Sequence, residues 1–240
     1  MTDRTPFTAI IRKLEKFYGR PNPPKTTDPV ELILLENVAY LADDEKRAAA
    51  FAALKKKIGT RPEQILKASQ KQLEEITRLG GIVPELRAQR LRQIAEIVRH
   101  IFNDDLAAQL KKPLPQAKKA LKRFPTIGDP GAERILMLTH SYPVLALESN
   151  GLRVLLRLGF AEDKKSYSAS YRGVQQALAG QLPSHLDVVK GKYHSKCDAL
   201  IAAHQLLRQH GQELCKRTRP LCDAGCPLTA ECRYFQRLAE

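Results

Sequence analysis

The sequence predicts an all-α protein, and three observations carry that expectation. Apolar residues recur with helical spacing nearly everywhere, no convincing alternating strand pair is found, and segment after segment opens on a capping residue. Apolar residues make up 43% of the 240 positions, enough for a proper core and too many for a disordered chain. That length suits one compact globule or two small lobes.

Residues 8–18 read as a short amphipathic helix, followed by the Pro-rich connector from Arg20 to Lys25. Asp28-Pro29-Val30-Glu31 is a helix start of the capping-box kind, and the apolar run behind it predicts a helix through about Ala42. Asp43 caps the next, which includes Ala48 to Lys57. Thr60 with Glu63, and Ser69 with Gln72, mark two further starts by the same logic. The chain turns at Gly80-Gly81, between Leu79 and Pro84. A strong helix follows, with Leu91, Ile94, Ala95, Val98, Ile101 and Phe102 on one face. Gln116 to Phe124 reads as the first helix of a pair. Asp129 is the expected N-cap of the second, with Pro130 at its first position, where a fixed φ and a missing N–H do no harm. Helices at about 166–179 and 196–209 come later, separated by the Gly180–Pro183 break.

A formal charge of +14 and a pI near 9.7 point to a polyanionic partner, most simply nucleic acid. Basic residues cluster at Lys55–Lys57, Lys111-Lys112, Lys118–Arg123, Lys164-Lys165 and Lys190–Lys196. Any one cluster reads as a solvated helix face; their sum suggests DNA. Tryptophan is absent and aromatic residues are only 6%, so stacking platforms of the single-strand-binding type are not evident. No apolar run reaches membrane-spanning length and the start MTDRTPF lacks a signal-peptide core, so the expectation is a soluble, cytoplasmic protein with no membrane partner. A monomer associated with the nucleoid through DNA binding is the accompanying expectation.

Four of the five cysteines fall near the C-terminus as Cys215-x6-Cys222-x3-Cys226-x5-Cys232. Clustered thiols in a basic cytoplasmic protein argue for metal rather than disulfides. Zinc sites usually pair two close knuckles across a longer span, whereas here only Cys222 and Cys226 are close. One compact loop of four thiolates suits an iron–sulfur cube better than zinc. Cys197 stands apart and reads as a small core residue.

The stretch LKRFPTIGDPGAERILMLTHSYPVLALESNGLRV, residues 121–154, organises the chain. It reads as a helix, a tight hairpin at Pro125-Thr126-Ile127-Gly128, a second helix beginning near Gly131, and a loop that carries Glu148 into a third. Hairpin amides and the positive end of a helix dipole are suited to holding a phosphate; an ordinary helix-to-helix turn is the alternative. The stretch resembles the helix-hairpin-helix DNA glycosylases of the endonuclease III superfamily. Pro125, Ile127 and Gly128 match their hairpin, Arg153 and Val154 match the end of their catalytic loop, and His210-Gly211 with the cysteines resembles their cluster motif. Three departures stand out. Thr126 replaces a glycine, Glu148 replaces an aspartate, and Pro130 falls where bifunctional members carry a Schiff-base lysine. The cysteine motif also has one extra residue between Cys222 and Cys226.

The resemblance implies a two-lobed fold, with a six-helix lobe at 25–140 containing the helix-hairpin-helix at 116–139. The second lobe joins 1–24 to 141–240 and carries a [4Fe–4S] cluster on Cys215, Cys222, Cys226 and Cys232, in the loop 215–232. The implied partner is double-stranded DNA with a damaged, mispaired or missing base. DNA-contacting residues would be Pro125, Thr126, Ile127, Gly128 and Gly131. Leu41 would be a wedge into the gap left by a flipped nucleotide and Tyr40 a stacking partner, unless both are core residues.

The implied chemistry is hydrolysis of an N-glycosidic bond through an oxocarbenium-like transition state. Glu148 would stabilise that cation and orient water, or else merely cap a helix. The segment Pro29 to Glu36 resembles the first barrel helix of MutY-type adenine glycosylases, which makes Glu36 a candidate acid on the departing base, or else a solvated helix residue. Proline at 130 offers no amine, so the resemblance implies a monofunctional enzyme. The alternatives are an abasic-site lyase using another amine, and a catalytically silent binder of damaged DNA.

Overall fold

The computed structural model describes residues 5–22, 24–182 and 193–238. Among them there is no strand, and an isolated parallel bridge joins Tyr40 to Gly81. The all-helical expectation holds. The chain divides into two compact units, one spanning Pro24–Tyr142 and the other joining Met1–Pro23 to Pro143–Glu240.

The first unit contains α2 (Pro29–Asn37), α3 (Asp44–Lys57), α4 (Pro62–Lys67), α5 (Gln70–Arg78), α6 (Pro84–Glu96), α7 (Leu106–Leu110), α8 (Leu114–Leu121) and α9 (Asp129–Leu138). The capping logic of the sequence is visible at three of these starts. Asp28 Oδ1 accepts from the Glu31 amide at 2.9 Å and Asp43 Oδ1 from Lys46 at 2.8 Å. Ser69 and Gln72 make the reciprocal capping box, each side chain accepting from the other's amide. α6 packs Leu91, Ile94 and Ala95 into a core shared with Ile33, Leu73 and Ile76.

Several boundaries depart from the sequence expectation, each for a local reason. α2 stops at Asn37 rather than Ala42, because the Val38 carbonyl is taken by Arg87 and the Tyr40 amide by the Gly80 carbonyl. α4 is capped at Arg61, whose amide donates to Gln64 Oε1, while the Thr60 hydroxyl turns away to Glu31. α6 runs into a wide π turn at Ile97–Ile101, which shifts the register so that Val98 and Phe102 stay buried and Ile101 is left exposed. α8 ends at Leu121, and Gly128, not Asp129, caps α9.

The second unit contains α1 (Phe7–Tyr18), α10 (Ser149–Arg157), α11 (Tyr167–Ala179), α12 (Lys196–Glu213), a short 3-10 turn at Thr229–Glu231 and α13 (Arg233–Gln236). α12 is its spine, burying Leu200, Ala203, Leu206 and Leu207, with Cys197 buried on the same helix. α10 crosses α12 so closely that a Cβ on Gly211 would sit 2.7 Å from both Cβ and carbonyl oxygen of Asn150. Only glycine fits there. Gly180 follows α11 as expected; Pro183, and the part of the Lys190–Lys196 cluster up to 192, lie outside the described residues.

Candidate functional site

In the first unit, the hairpin joins α8 to α9 through Phe124 to Gly128. Thr126 takes φ +65°, a left-handed conformation that a β-branched residue seldom adopts. The reason it is held lies in α2. Asn37 is buried, and its Nδ2 donates to the Ile33 carbonyl at 3.0 Å and to the Pro125 carbonyl at 3.2 Å. The Thr126 hydroxyl donates back to Asn37 Oδ1 at 3.1 Å. One amide side chain thus clasps the hairpin from both sides. Ile127 is buried beneath the turn, while Thr126 and Gly128 face outward and Pro125 is half-buried. Gly128 has extended backbone, and a Cβ there would meet nothing nearer than Pro130 Cδ at 3.9 Å. Gly131 is equally unforced, its nearest neighbour being Ile127 at 3.6 Å.

Lys118 of α8, and Lys122 just after it, are not free around this turn. Lys118 bridges Asp129 at 3.2 Å and Glu133 at 2.7 Å, and Lys122 reaches Asp129 at 3.2 Å. Burial pulls the Lys118 ammonium toward lower pKa, but the two carboxylates outweigh it and hold the pKa above the usual lysine value. An amine so held stays protonated. Pro130 is the second residue of α9 and offers no nucleophile.

Glu36, on α2, is half-buried and ion-paired to Arg134 of α9. Tyr40 and Leu41 are not core residues: they are 48% and 76% exposed. Leu41 takes φ +48° at the tip of the loop that follows α2, beside Gly80-Gly81.

In the second unit, Glu148 caps α10. Its Oε1 accepts from the Gly151 amide at 2.7 Å and its Oε2 from Asn150 Nδ2 at 2.8 Å. Both carboxylate oxygens therefore have fixed partners at the positive end of a helix. The approach to it is a buried extended segment, Leu145-Ala146-Leu147, whose three carbonyls are each held by a side chain. Gln175 Nε2 donates to Leu145 at 2.6 Å, His204 Nδ1 meets Ala146 at 2.8 Å and the Tyr167 hydroxyl donates to Leu147 at 3.2 Å. Arg153 extends the network toward the cysteines, donating to the Asn150 side chain and to the carbonyls of Gly211 and Cys215. An open groove of about 1800 Å³ starts at Ser149 and Asn150, and Arg153, Lys164, Lys165, Lys216 and Arg217 line it.

All four C-terminal cysteines face one small cavity, closed by Val154, Leu158, Leu214 and Leu228. Burial pushes the thiols of Cys222, Cys226 and Cys232 up. Arg157 donates to Cys215 Sγ at 3.3 Å and stacks on Tyr234 at 4.5 Å. His210, its pKa lowered to about 4 by burial, places Nε2 3.6 Å from Cys226 Sγ and Nδ1 3.0 Å from the Tyr18 hydroxyl. Among the described residues no three His, Cys, Asp or Glu side chains are grouped to hold a single metal ion.

Sequence reasoning therefore located the hairpin, the carboxylate loop and the thiols. It missed Asn37, Arg87, Gln175 and Arg157. None of the four was singled out, because each acts on groups distant in the sequence: Asn37 on Pro125, Arg87 on Val38, Gln175 on Leu145 and Arg157 on Cys215.

No family model matches the chain. Related proteins include an endonuclease III of Sulfolobus acidocaldarius, 23% identical over 212 residues, covering 88% of this chain and 84% of that one. An endonuclease III of Thermotoga maritima is 22% identical over 229 residues, covering 95% and 92%. A thymine-DNA glycosylase of Aeropyrum pernix is 24% identical over 174 residues, covering 72% and 69%. Among solved structures, a trapped endonuclease III–DNA covalent intermediate superposes with a TM-score of 0.70 at 18% identity, covering 98% of this chain and 100% of that one. A thermostable thymine-DNA glycosylase also gives 0.70, at 16% identity, covering 96% and 97%. The chain has the endonuclease III-like helix-hairpin-helix fold.

Proposed function

We propose that this chain, with its endonuclease III-like fold, is a DNA N-glycosylase that extrudes a damaged or mispaired base from duplex DNA and hydrolyses its glycosidic bond. The observation that carries the reading is Glu148, a carboxylate with both oxygens fixed, on a buried segment whose every carbonyl is tied down. Catalytic groups need that kind of support, because small misplacements cost rate. Beside a sugar, Glu148 would stabilise the oxocarbenium-like charge and orient water. Its side chain accepts from the Gly151 amide, which fixes where the carboxylate stands. Glu36 is the proposed acid on the departing base, on the condition that its ion pair with Arg134 opens when DNA binds. The names of the relatives, and the +14 formal charge, support DNA as the substrate.

Monofunctional action is part of the proposal. Pro130 supplies no amine, and Lys118 and Lys122 are engaged as ammonium groups with Asp129 and, for Lys118, Glu133. The hairpin residues Pro125, Thr126, Ile127 and Gly128, with Gly131, would present backbone to a phosphate; the unforced glycines leave room for that approach.

Cys215, Cys222, Cys226 and Cys232 are proposed to hold a [4Fe–4S] cluster. In a cube each thiolate binds its own iron, so the sulfurs stand further apart than the ligands of one ion. That suits four thiols around one apolar cavity and no set grouped for a single ion. When bound, the cluster would pin the loop that carries Lys216, Arg217 and Arg219.

The test is a set of duplexes, each holding one uracil, oxidised pyrimidine, alkylated purine, mispaired adenine or abasic site, assayed with and without alkali. Breaks only after alkali are expected. Breaks without alkali would contradict the monofunctional reading. Tight binding without breaks on any duplex would favour a silent binder, a reading that the helix-capping role of Glu148 also accommodates.

A further inference from the structure

The four cysteines of the second unit do not stand among apolar groups alone. His210, on α12, lines the small cavity that all four face, and it is 1% exposed. Both of its ring nitrogens are engaged. Nε2 stands 3.6 Å from Cys226 Sγ, within hydrogen-bond reach of an atom as large as sulfur. Nδ1 stands 3.0 Å from the hydroxyl of Tyr18, the last residue of α1. The tyrosine and imidazole rings meet edge to face, with centroids 6.0 Å apart. With the imidazole buried, water does not compete for either nitrogen.

Other donors also reach these sulfurs. The Leu228 amide donates to Cys226, the Tyr234 and Phe235 amides to Cys232, and the Arg157 guanidinium to Cys215. Backbone amides and a guanidinium always carry their hydrogens. An imidazole differs, because a neutral ring has one N–H and can place it on either nitrogen. A metal-bound thiolate has no hydrogen to give, so the Nε2 that faces it must carry one; otherwise two lone pairs oppose each other. Nδ1 is then a bare acceptor, and the Tyr18 phenol, which keeps its hydrogen at neutral pH, donates to it. The tautomer is thus chosen from the far side of the ring.

We propose that Tyr18 and His210 are a positioning pair for the cluster: the phenol fixes His210 as the Nε2–H tautomer, and that N–H, donated to Cys226 Sγ, raises the reduction potential of a bound [4Fe–4S] group. The inference rests on the cluster reading above. A hydrogen bond to a ligand sulfur draws off negative charge and so favours the state that holds one more electron.

The measurement is the one-electron reduction potential of the loaded protein by film voltammetry, with iron content and visible absorption recorded for each variant. His210→Leu removes the donor and is expected to shift the electron equilibrium about tenfold toward the oxidised form, a fall of about 59 mV. His210→Gln keeps an N–H donor and is expected to recover most of that fall. Tyr18→Phe removes one hydroxyl from a half-buried ring and leaves His210 free to take either tautomer. It is expected to shift the equilibrium the same way, by about threefold. The double variant of Tyr18→Phe with His210→Leu should fall no further than His210→Leu alone, because the phenol acts through the imidazole. A wild-type potential in either single variant at full iron content would overturn the assignment, and so would additive shifts in the double variant. Should His210→Leu lose its iron for want of packing, Tyr18→Phe decides alone, since it leaves the buried ring in place. Wild-type protein purified without iron and sulfide would instead overturn the cluster reading itself.

Discussion

Replacing Asn37 by alanine should loosen the hairpin without touching any residue that faces outward. The side chain is buried and makes three hydrogen bonds, at 3.0, 3.1 and 3.2 Å. The Ile33 carbonyl loses little, because helical geometry already gives it an amide donor four residues on. The Thr126 hydroxyl is exposed and turns to water. The Pro125 carbonyl loses its side-chain partner and a small void opens, so the expected destabilisation is about 2 kcal/mol. Asn37→Asp should be at least as harmful, because it sets a carboxylate oxygen against the Pro125 and Ile33 carbonyls. Equilibrium urea unfolding measures both. A loss under about 0.5 kcal/mol for Asn37→Ala would refute the view that this amide clasps the turn.

At the hairpin, Thr126→Ala removes the bond to Asn37 but keeps φ +65°, whereas Thr126→Gly removes both bond and strain. Alanine should cost about 1 kcal/mol and glycine almost nothing, read from unfolding midpoints. Gly211→Ala forces a Cβ to 2.7 Å from Asn150 backbone, and the overpacking should cost about 1–3 kcal/mol, seen as a lower Tm. Glu31 supplies a pH test. Burial raises its pKa, but hydrogen bonds from Lys55, Thr26 and Thr60 and the Lys55 charge outweigh that and hold it below its ordinary 4.5. A carboxyl depressed in the folded state stabilises above its unfolded pKa, and that contribution fades as pH falls through the folded value. Stability of Glu31→Gln measured from pH 7 to pH 3 should therefore fall less steeply below about pH 4.5 than that of the wild type.

The elements that local chemistry dictates were legible in the sequence. Ser69 with Gln72, Asp43, and Asp28 before Pro29 each announce a helix start because the capping partner lies three residues away. The thiols and the Glu148 loop were legible for the same reason: their residues are close in sequence. What could not be read depends on partners far along the chain. Thr126 owes its left-handed backbone to Asn37, 89 residues earlier. The early end of α2 reflects Arg87, 49 residues from the Val38 carbonyl it takes. The segment leading to Glu148 is steadied by Gln175, Tyr167 and His204, which lie 30, 20 and 58 residues from the carbonyls they hold. The π turn at Ile97–Ile101 moved Ile101 outward, which strict helical periodicity could not foresee.

The most direct test of the account compares wild type with Glu148→Gln on whichever duplex proves to be the substrate, measuring single-turnover base release and DNA affinity together. Glutamine retains an oxygen for the Gly151 amide, so the α10 cap and the fold should hold. The account expects base release to fall by about a hundredfold or more, with affinity changed only a few-fold. Release at the wild-type rate by Glu148→Gln would mean that this carboxylate is a helix cap and nothing more.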